Sequence, residues 1–413
     1  MDSRTTPAPR RGMAADELRR HNLATVLERV HLSGPLSRSD LTVTTGLNRS
    51  TIAGLVGELS SLGLVEEHPA VRSAGPGRPS PLVGARPESA AVLALELSVD
   101  SIAVATAGLG GHLYNKLRVA RPRERFSPRE TVQDLAKLAE PLLASLPSGH
   151  NLAGVGAAVA GVVRRSDGFV HLAPNLGWHN VQLGSMLGSE LGVSERVSVA
   201  NEADLGALAE HRRGVGVGVG HLIYLSGEVG IGAGIIYDGK PMLGSAGYAG
   251  EVGHTLINPA GRRCRCGATG CWETEAGEMA LARAARLPAS ITGLDVVRTV
   301  RDRAETGDQR TLAGIAEIGR WLGLGIGNLI NAFNPELIVL GGIYHALYPY
   351  LHHSVLEGAE QVRLDAPAEM VEVVRSGLGP DAPLMGAAEM ALSAVVTDPA
   401  SAAGHSVLAA PGG

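Results

Sequence analysis

All three cysteines of this 413-residue chain fall in the run Cys264–Arg265–Cys266–Gly267–Ala268–Thr269–Gly270–Cys271, and His254 stands ten positions upstream. Three thiolates and one imidazole complete a tetrahedral shell, the composition of a closed structural zinc site. Gly267 and Gly270 let the short loop fold back so that Cys264, Cys266 and Cys271 converge. The alternative is three unrelated buried thiols, because cysteine is a common small core residue. Clustering beside a histidine favours Zn2+ held by His254, Cys264, Cys266 and Cys271. Such an ion would fix a loop over residues 254–271, flanked by Glu251 and Glu273, two carboxylates without an obvious structural duty.

A chain this long exceeds one ordinary core, so two or three domains are expected. Its 45% hydrophobic content fits a well-buried globular protein. No apolar run approaches the ~18 residues of a membrane span, and no secretory leader pattern opens the sequence, so no membrane partner is expected. Clustered cysteines point to metal binding in a reducing compartment, and the cytoplasm is the expected location. The net charge of −5 hides an asymmetry. Residues 1–86 hold eleven arginines, no lysine and eight acidic residues, a surplus that suits an anionic partner for this part.

Residues 1–12 are rich in Pro, Arg and Thr without periodicity and read as a disordered arm. Over residues 14–30, Leu18, Leu23, Val26, Leu27 and Val30 form a helical stripe. After Ser33–Gly34–Pro35, Ser37 or Ser39 can cap a short helix, and Gly46–Leu47–Asn48 makes a tight turn. Residues 49–62 read as a second helix with Ile52, Leu55, Val56 and Leu59 on one face. A strand from Gly63, a Gly75–Pro76–Gly77–Arg78–Pro79 loop and Leu82–Val83 complete a hairpin. Residues 13–86 therefore read as a winged helix-turn-helix domain. Asn48, Arg49, Ser50 and Thr51 lie where a recognition helix meets the major groove, and Arg78 lies in the wing, placed for the minor groove. A small helical module that binds protein is the alternative.

From residue 88 the texture becomes α/β. Strands are expected over 90–97, 101–107 and 152–159, with a helix over 128–146. The order recurs with strands over 197–200, 221–225, 232–237 and 336–340 and helices over 202–213 and 314–333, so residues 87–396 read as a duplicated α/β domain with a cleft between its halves. Residues 397–413 are rich in Ala, Gly and Pro and are expected to be disordered.

The runs Ala173–Pro174–Asn175–Leu176–Gly177–Trp178, Asn201–Glu202–Ala203–Asp204, Gly230–Ile231–Gly232–Ala233–Gly234, Gly247–Tyr248–Ala249–Gly250–Glu251–Val252–Gly253–His254 and Asn334–Pro335–Glu336–Leu337, with the cysteine loop, resemble the ROK family of repressors, open reading frames and sugar kinases. The resemblance implies an actin-like ATPase (ribonuclease H-like) α/β domain. With the N-terminal winged helix it implies the repressor branch, in which a sugar releases operator DNA.

The family's kinases open on a phosphate loop reading Asp-x-Gly-Gly-Thr, where this chain has Glu96–Leu97–Ser98–Val99–Asp100. Both glycines are gone and Val99 obstructs a phosphate's close approach to backbone amides. The family's general base is the Asp of an Asn-Asp pair, and here it is Glu202. One extra methylene displaces the carboxylate by about 1 Å, enough to cost roughly a hundredfold in rate. In the second phosphate segment, Gly227–Glu228–Val229–Gly230, an acid stands where phosphate would approach. These departures imply a non-enzyme, with a monosaccharide kinase using ATP as the alternative.

The resemblance carries the sugar contacts onto Asn175, Asn201, Glu202, Glu251, His254 and Glu273. The carboxylates can each accept two hydrogen bonds from vicinal hydroxyls, and His254 can bind zinc through one nitrogen and offer the other to a hydroxyl or a second-shell acceptor. Asn201 reads equally as a helix cap, and Asn175 as ordinary turn chemistry. The expectation is a sugar-responsive regulator, a homodimer or homotetramer. It would read double-stranded, pseudo-palindromic operator DNA and answer to a small sugar or sugar-phosphate effector.

Overall fold

The structure, a computed structural model, describes residues 15–69, 81–123, 126–146, 152–193, 197–288, 290–365 and 370–402. Its N-terminal unit comprises α1 (Ala15–Ser33), β1 (Leu36–Ser37), α2 (Arg38–Thr45), α3 (Arg49–Ser61), β2 (Val65–His68) and β3 (Leu82–Ala85), with sheet order β1-β3-β2. Ser37 caps α2 in a reciprocal capping box with Asp40, and Gly46 ends that helix at φ 70. Leu23, Leu27, Leu41, Ile52, Val56 and Leu59 are fully or almost fully buried. The helical stripes read from sequence are thus the core of this unit. The tip between β2 and β3, with Arg78, lies outside the described residues, as does the arm over residues 1–12.

The first α/β lobe contains β4 (Ala91–Leu97), β5 (Ser101–Gly108), β6 (His112–Ala120), α4 (Pro128–Ala144) and β7 (Leu152–Val159). A small antiparallel sheet follows, β8 (Val162–Arg164), β9 (Phe169–Ala173) and β10 (Trp178–Val181), then α5 (Leu183–Glu190), β11 (Val197–Asn201) and α6 (Glu202–Arg213). The strand order β11-β7-β4-β5-β6 gives an antiparallel meander extended by two parallel strands. β11 therefore closes the first sheet and does not open the second half, contrary to the sequence reading. Its register, Val197 opposite Val155 through Asn201 opposite Val159, explains why. α4 crosses over between β6 and β7, as parallel pairing requires.

The second lobe holds β12 (Leu222–Gly227), β13 (Ile231–Tyr237), β14 (Lys240–Pro241), α7 (Trp272–Ala276), α8 (Glu278–Ala284), α9 (Leu294–Glu305), α10 (Gln309–Phe333), β15 (Leu337–Gly341), α11 (Gly342–Glu360) and β16 (Glu372–Arg375). Its order is β14-β13-β12-β15-β16. The two lobes give the duplicated actin-like architecture that the resemblance implied.

The chain then returns to the first lobe as α12 (Ala382–Thr397), followed by the short α13 (Pro399–Ala402). Thr397 and Pro399–Ala402, expected to be disordered, are helical, with Val395, Val396 and Pro399 buried. Residues 403–413 lie outside the described residues.

α6 and α12 lie against each other between the two sheets, α12 on β4 and β7 and α6 on β12 and β13. Their crossing is tight. A Cβ on Gly386 would stand 1.9 Å from the Leu205 carbonyl oxygen, and one on Gly234 2.2 Å from that of Ala203. One hydrophobic core runs from Leu23, Val26 and Leu27 of α1 to Leu384, Ala388 and Leu392 of α12. The N-terminal unit is therefore packed on the first lobe.

Candidate functional site

After β13 the chain turns through Gly250, at φ 100, whose Cβ would meet the Ala233 carbonyl oxygen at 2.1 Å. A single helical turn over Val252–His254 then presents His254. The loop returns through backbone bridges Leu256 to Cys271 and Arg263 to Thr269. Gly270, at φ 79, is required twice, since its Cβ would also stand 1.8 Å from the Asn258 carbonyl oxygen. Cys271 precedes α7, and Trp272 anchors the turn by donating from Nε1 to the Trp321 carbonyl at 3.0 Å. The ligand atoms of His254, Cys264, Cys266 and Cys271 lie within 4.8 Å of one another. His254 Nδ1 is 3.7 Å from Cys264 Sγ, and Cys266 Sγ is 3.6 Å from Cys271 Sγ. Three soft thiols and one imidazole at that spacing suit a metal ion, and the donor set is that of a structural zinc centre.

Beside this cluster a cleft of about 730 Å³ opens between the lobes, lined by all six residues assigned to sugar contact, Asn175, Asn201, Glu202, Glu251, His254 and Glu273. His254 Nε2 faces Glu251 at 3.8 Å while Nδ1 faces the thiols. Glu273 accepts from Cys264 Sγ at 2.9 Å and presses on Gly230, where a Cβ would clash with its Oε2. The cysteine loop and the cleft wall thus share side chains.

Two assigned residues are partly committed to the scaffold. Asn201 caps α6, accepting from the Ala203 amide at 2.7 Å and donating to the Gly161 carbonyl at 3.0 Å. One amide hydrogen and one oxygen lone pair remain for a ligand. Asn175 Oδ1 accepts from Arg265 Nη1 at 2.9 Å, tying the small β8–β10 sheet to the metal-ligand loop.

The cleft floor is acidic. Burial pushes the Glu202 carboxyl well up, aided by Glu228 and Glu96. Burial, Glu96 and Asp100 push Glu228 up to about 7. Asp204, absent from the sequence assignment, lies one turn into α6 beside Asn201 and Glu251. Burial raises it to about 7 against the opposing charge of Arg165, with Glu251 adding to the rise. In sequence it reads as ordinary first-turn acid on a helix. Its repetition beside Asn201–Glu202 was the one available signal.

Toward the Glu96–Asp100 segment the lobes are joined. Ser98 donates to Glu228 at 3.3 Å, and Arg123 bonds both Asp100, Nη2 to Oδ2 at 2.9 Å, and Glu278 of the second lobe, Nη1 to Oε1 at 3.0 Å. Arg118 holds Glu96 in a fork at 2.7 and 2.9 Å. Val99 lines the cleft at this end.

At the N-terminal unit, Asn48 Oδ1 accepts from the Thr51 amide at 2.9 Å and from the Ser50 hydroxyl at 2.7 Å. Arg49 and Ser50 are exposed at the start of α3, and Thr51 is half-buried. No helix among the described residues is long and apolar enough to cross a membrane.

The chain is 32% identical to a xylose repressor of Caldicellulosiruptor bescii over 346 residues, 78% of this chain and 83% of that protein. Among solved structures it is similar to a ROK family transcriptional regulator, a homologue of the E. coli MLC protein, with TM-score 0.75 and 26% identity. That match covers 92% of this chain and 97% of the other. A ROK family glucokinase from Streptomyces griseus, solved with glucose and AMPPNP, matches with TM-score 0.61 and 26% identity over 73% of this chain and 98% of the other. The ROK family profile matches residues 92–394, and the chain belongs to the ROK family.

Proposed function

We propose that this chain is a cytoplasmic, sugar-responsive DNA-binding repressor. One observation carries the reading: the N-terminal unit of three helices and a three-stranded sheet shares a hydrophobic core with the lobe that walls the carboxylate-bearing cleft. Arg49, Ser50 and Thr51 would meet base edges and phosphates with Asn48 holding the helix start, and Arg78 would follow the minor groove. Two copies related by a two-fold axis, or two such pairs, would match a pseudo-palindromic operator.

Glu251 and Glu273 offer acceptors to vicinal hydroxyls, His254 with Nδ1 on the metal offers its Nε2 hydrogen, and Asn175, Asn201 and Glu202 complete the ring around the ligand. His254, Cys264, Cys266 and Cys271 would hold Zn2+. Four protein ligands leave no open position, so the ion would supply rigidity to the loop and no chemistry. Release of DNA requires that the sugar prefer the arrangement in which the reading helices no longer fit the operator.

The likeness to a glucokinase makes sugar phosphorylation the second reading. Against it stand Glu202 at the base position, Val99 in the phosphate loop and Glu228 bonded to Ser98 across the phosphate path. The test measures melting temperature and duplex binding across hexoses, pentoses, amino sugars and their phosphates, with ATP turnover measured in parallel. At about a hundred times its dissociation constant a true effector stabilises by about 2.7 kcal/mol, and the same sugar should release DNA. Sustained phosphorylation of a sugar would overturn the repressor reading in favour of a kinase.

A further inference from the structure

Among the described residues, α6 reaches from the cleft to the base of the DNA-binding unit. Asn201, Glu202 and Asp204 at its start line the cleft cavities. Arg212 and Arg213 at its end converge on Glu389 of α12 and His31 of α1. Arg213 Nε donates to Glu389 Oε1 at 2.7 Å, and Arg212 Nη1 to Oε2 at 3.3 Å. Arg213 Nη1 donates to the His31 carbonyl at 2.9 Å. His31 and Glu389 are 0% and 1% exposed. The Gly110 amide donates to His31 Nδ1 at 2.8 Å, and Nε2 lies 3.0 Å from Glu389 Oε2 and 2.8 Å from Arg213 Nη2. The Arg213 guanidinium lies so close over Gly111 that a Cβ there would stand 2.6 Å from it.

Three bodies therefore meet at one buried point: the first lobe through Gly110, Gly111 and Glu389, the DNA-binding unit through His31, and α6 through its two arginines. Twelve residues of helix span about 18 Å at 1.5 Å per residue. That rod is stiff, because Ala203 to Glu210 are all buried. Its packing leaves no slack at Gly386 or Gly234, and Glu210 binds the Leu378 amide and Ser376 hydroxyl of the second lobe. A packed helix responds to a push at one end by shifting as a unit. Motion of the second lobe against the first must then change the bonds at the other end.

We propose that Arg213, with Arg212, His31 and Glu389, is the joint through which the state of the cleft reaches the DNA-binding helices. These are positioning residues and touch neither sugar nor DNA. The inference rests on the sugar-responsive reading for its effector, but the joint is testable without one.

The experiment compares the full chain with Arg213→Gln and Arg213→Lys. Lysine keeps the charge but lacks the fork that bonds Glu389 and the His31 carbonyl together, which guards against a variant that merely misfolds. Binding is followed to a duplex enriched from random DNA on the wild-type protein, with and without saturating D-xylose or D-glucose. The effective sugar is expected to weaken wild-type binding at least tenfold, a typical coupling, and binding by either variant less than about twofold, while raising all three melting temperatures alike. Equal release by wild type and variants overturns the joint. If neither sugar raises the wild-type melting temperature, neither is the effector, and amide exchange without sugar decides. Exchange over residues 30–33 should then be about tenfold faster in Arg213→Gln with the metal-ligand loop unchanged, and unaltered exchange there overturns the joint.

Discussion

Replacing Glu389 by glutamine and titrating both proteins into acid tests the energetics at the base of the DNA-binding unit. Burial pushes the Glu389 carboxyl up, but the His31 hydrogen bond and the charges of His31, Arg213 and Arg212 outweigh it and leave it at about 2. The departure from an ordinary carboxyl corresponds to about 3 kcal/mol. A depressed carboxyl contributes stability above its unfolded pKa and loses it as the pH falls through the folded one. The wild-type advantage should therefore be complete above about pH 4.5, shrink through the acid range, and be nearly gone at about pH 2. Near neutrality the variant leaves two arginines facing a neutral amide, and breaking one partner of a buried pair costs about 3–5 kcal/mol. Denaturant unfolding at stepped pH, followed by amide exchange in α1 and α12, measures the gap. A gap that stays constant into acid would refute the reasoning, because the lost energy would then not come from the ionised carboxylate.

Asn48→Ala removes the acceptor for the Thr51 amide and should cost about 1 kcal/mol in the N-terminal unit; Arg49→Ala should leave stability unchanged yet weaken duplex binding, and unaltered binding would remove Arg49 from the interface. Cys266→Ser should abolish stoichiometric zinc, read by atomic absorption, and lower sugar affinity through Glu273 and His254; full metal content would count against the four-ligand site. Asp204, raised to about 7, favours its protonated form in the fold, so wild-type stability should fall as pH rises from about 4 through about 7. Asp204→Asn should be nearly neutral in acid and stabilising above about pH 7, and a variant less stable at every pH would show that the carboxylate is satisfied.

Local signals carried far in this chain. The capping box at Ser37, the Asn48 cap and the buried stripes of α1 and α3 are written within a few residues, so the helix-turn-helix was legible from spacing alone. The convergence of His254, Cys264, Cys266 and Cys271 was legible for the same reason, since the four lie inside eighteen positions. The resemblance supplied the cleft residues, and every one lines the cavity. Register was not legible: β11 belongs to the first sheet because Val199 and Ala200 bury against β7, a choice that depends on which strand arrives beside it. The helical residues Thr397 and Pro399–Ala402 were missed for a related cause, since small residues read as a loose tail until a surface covers them.

The same distinction explains why the joint was invisible. His31 and Glu389 are 358 positions apart, and neither sits in a motif. In sequence, Arg212–Arg213 reads as the ordinary basic end of a helix, favourable to its dipole. Only burial separates the two readings. An exposed pair there would be worth a few tenths of a kcal/mol, whereas a carboxylate 1% exposed among two arginines and a histidine is costly to disturb. A costly arrangement at the meeting of three bodies favours discrete states over graded drift, because sliding α6 part way would strand buried charge. That is the property a repressor needs, and the proposed joint would put the two-state element in α6 and α12.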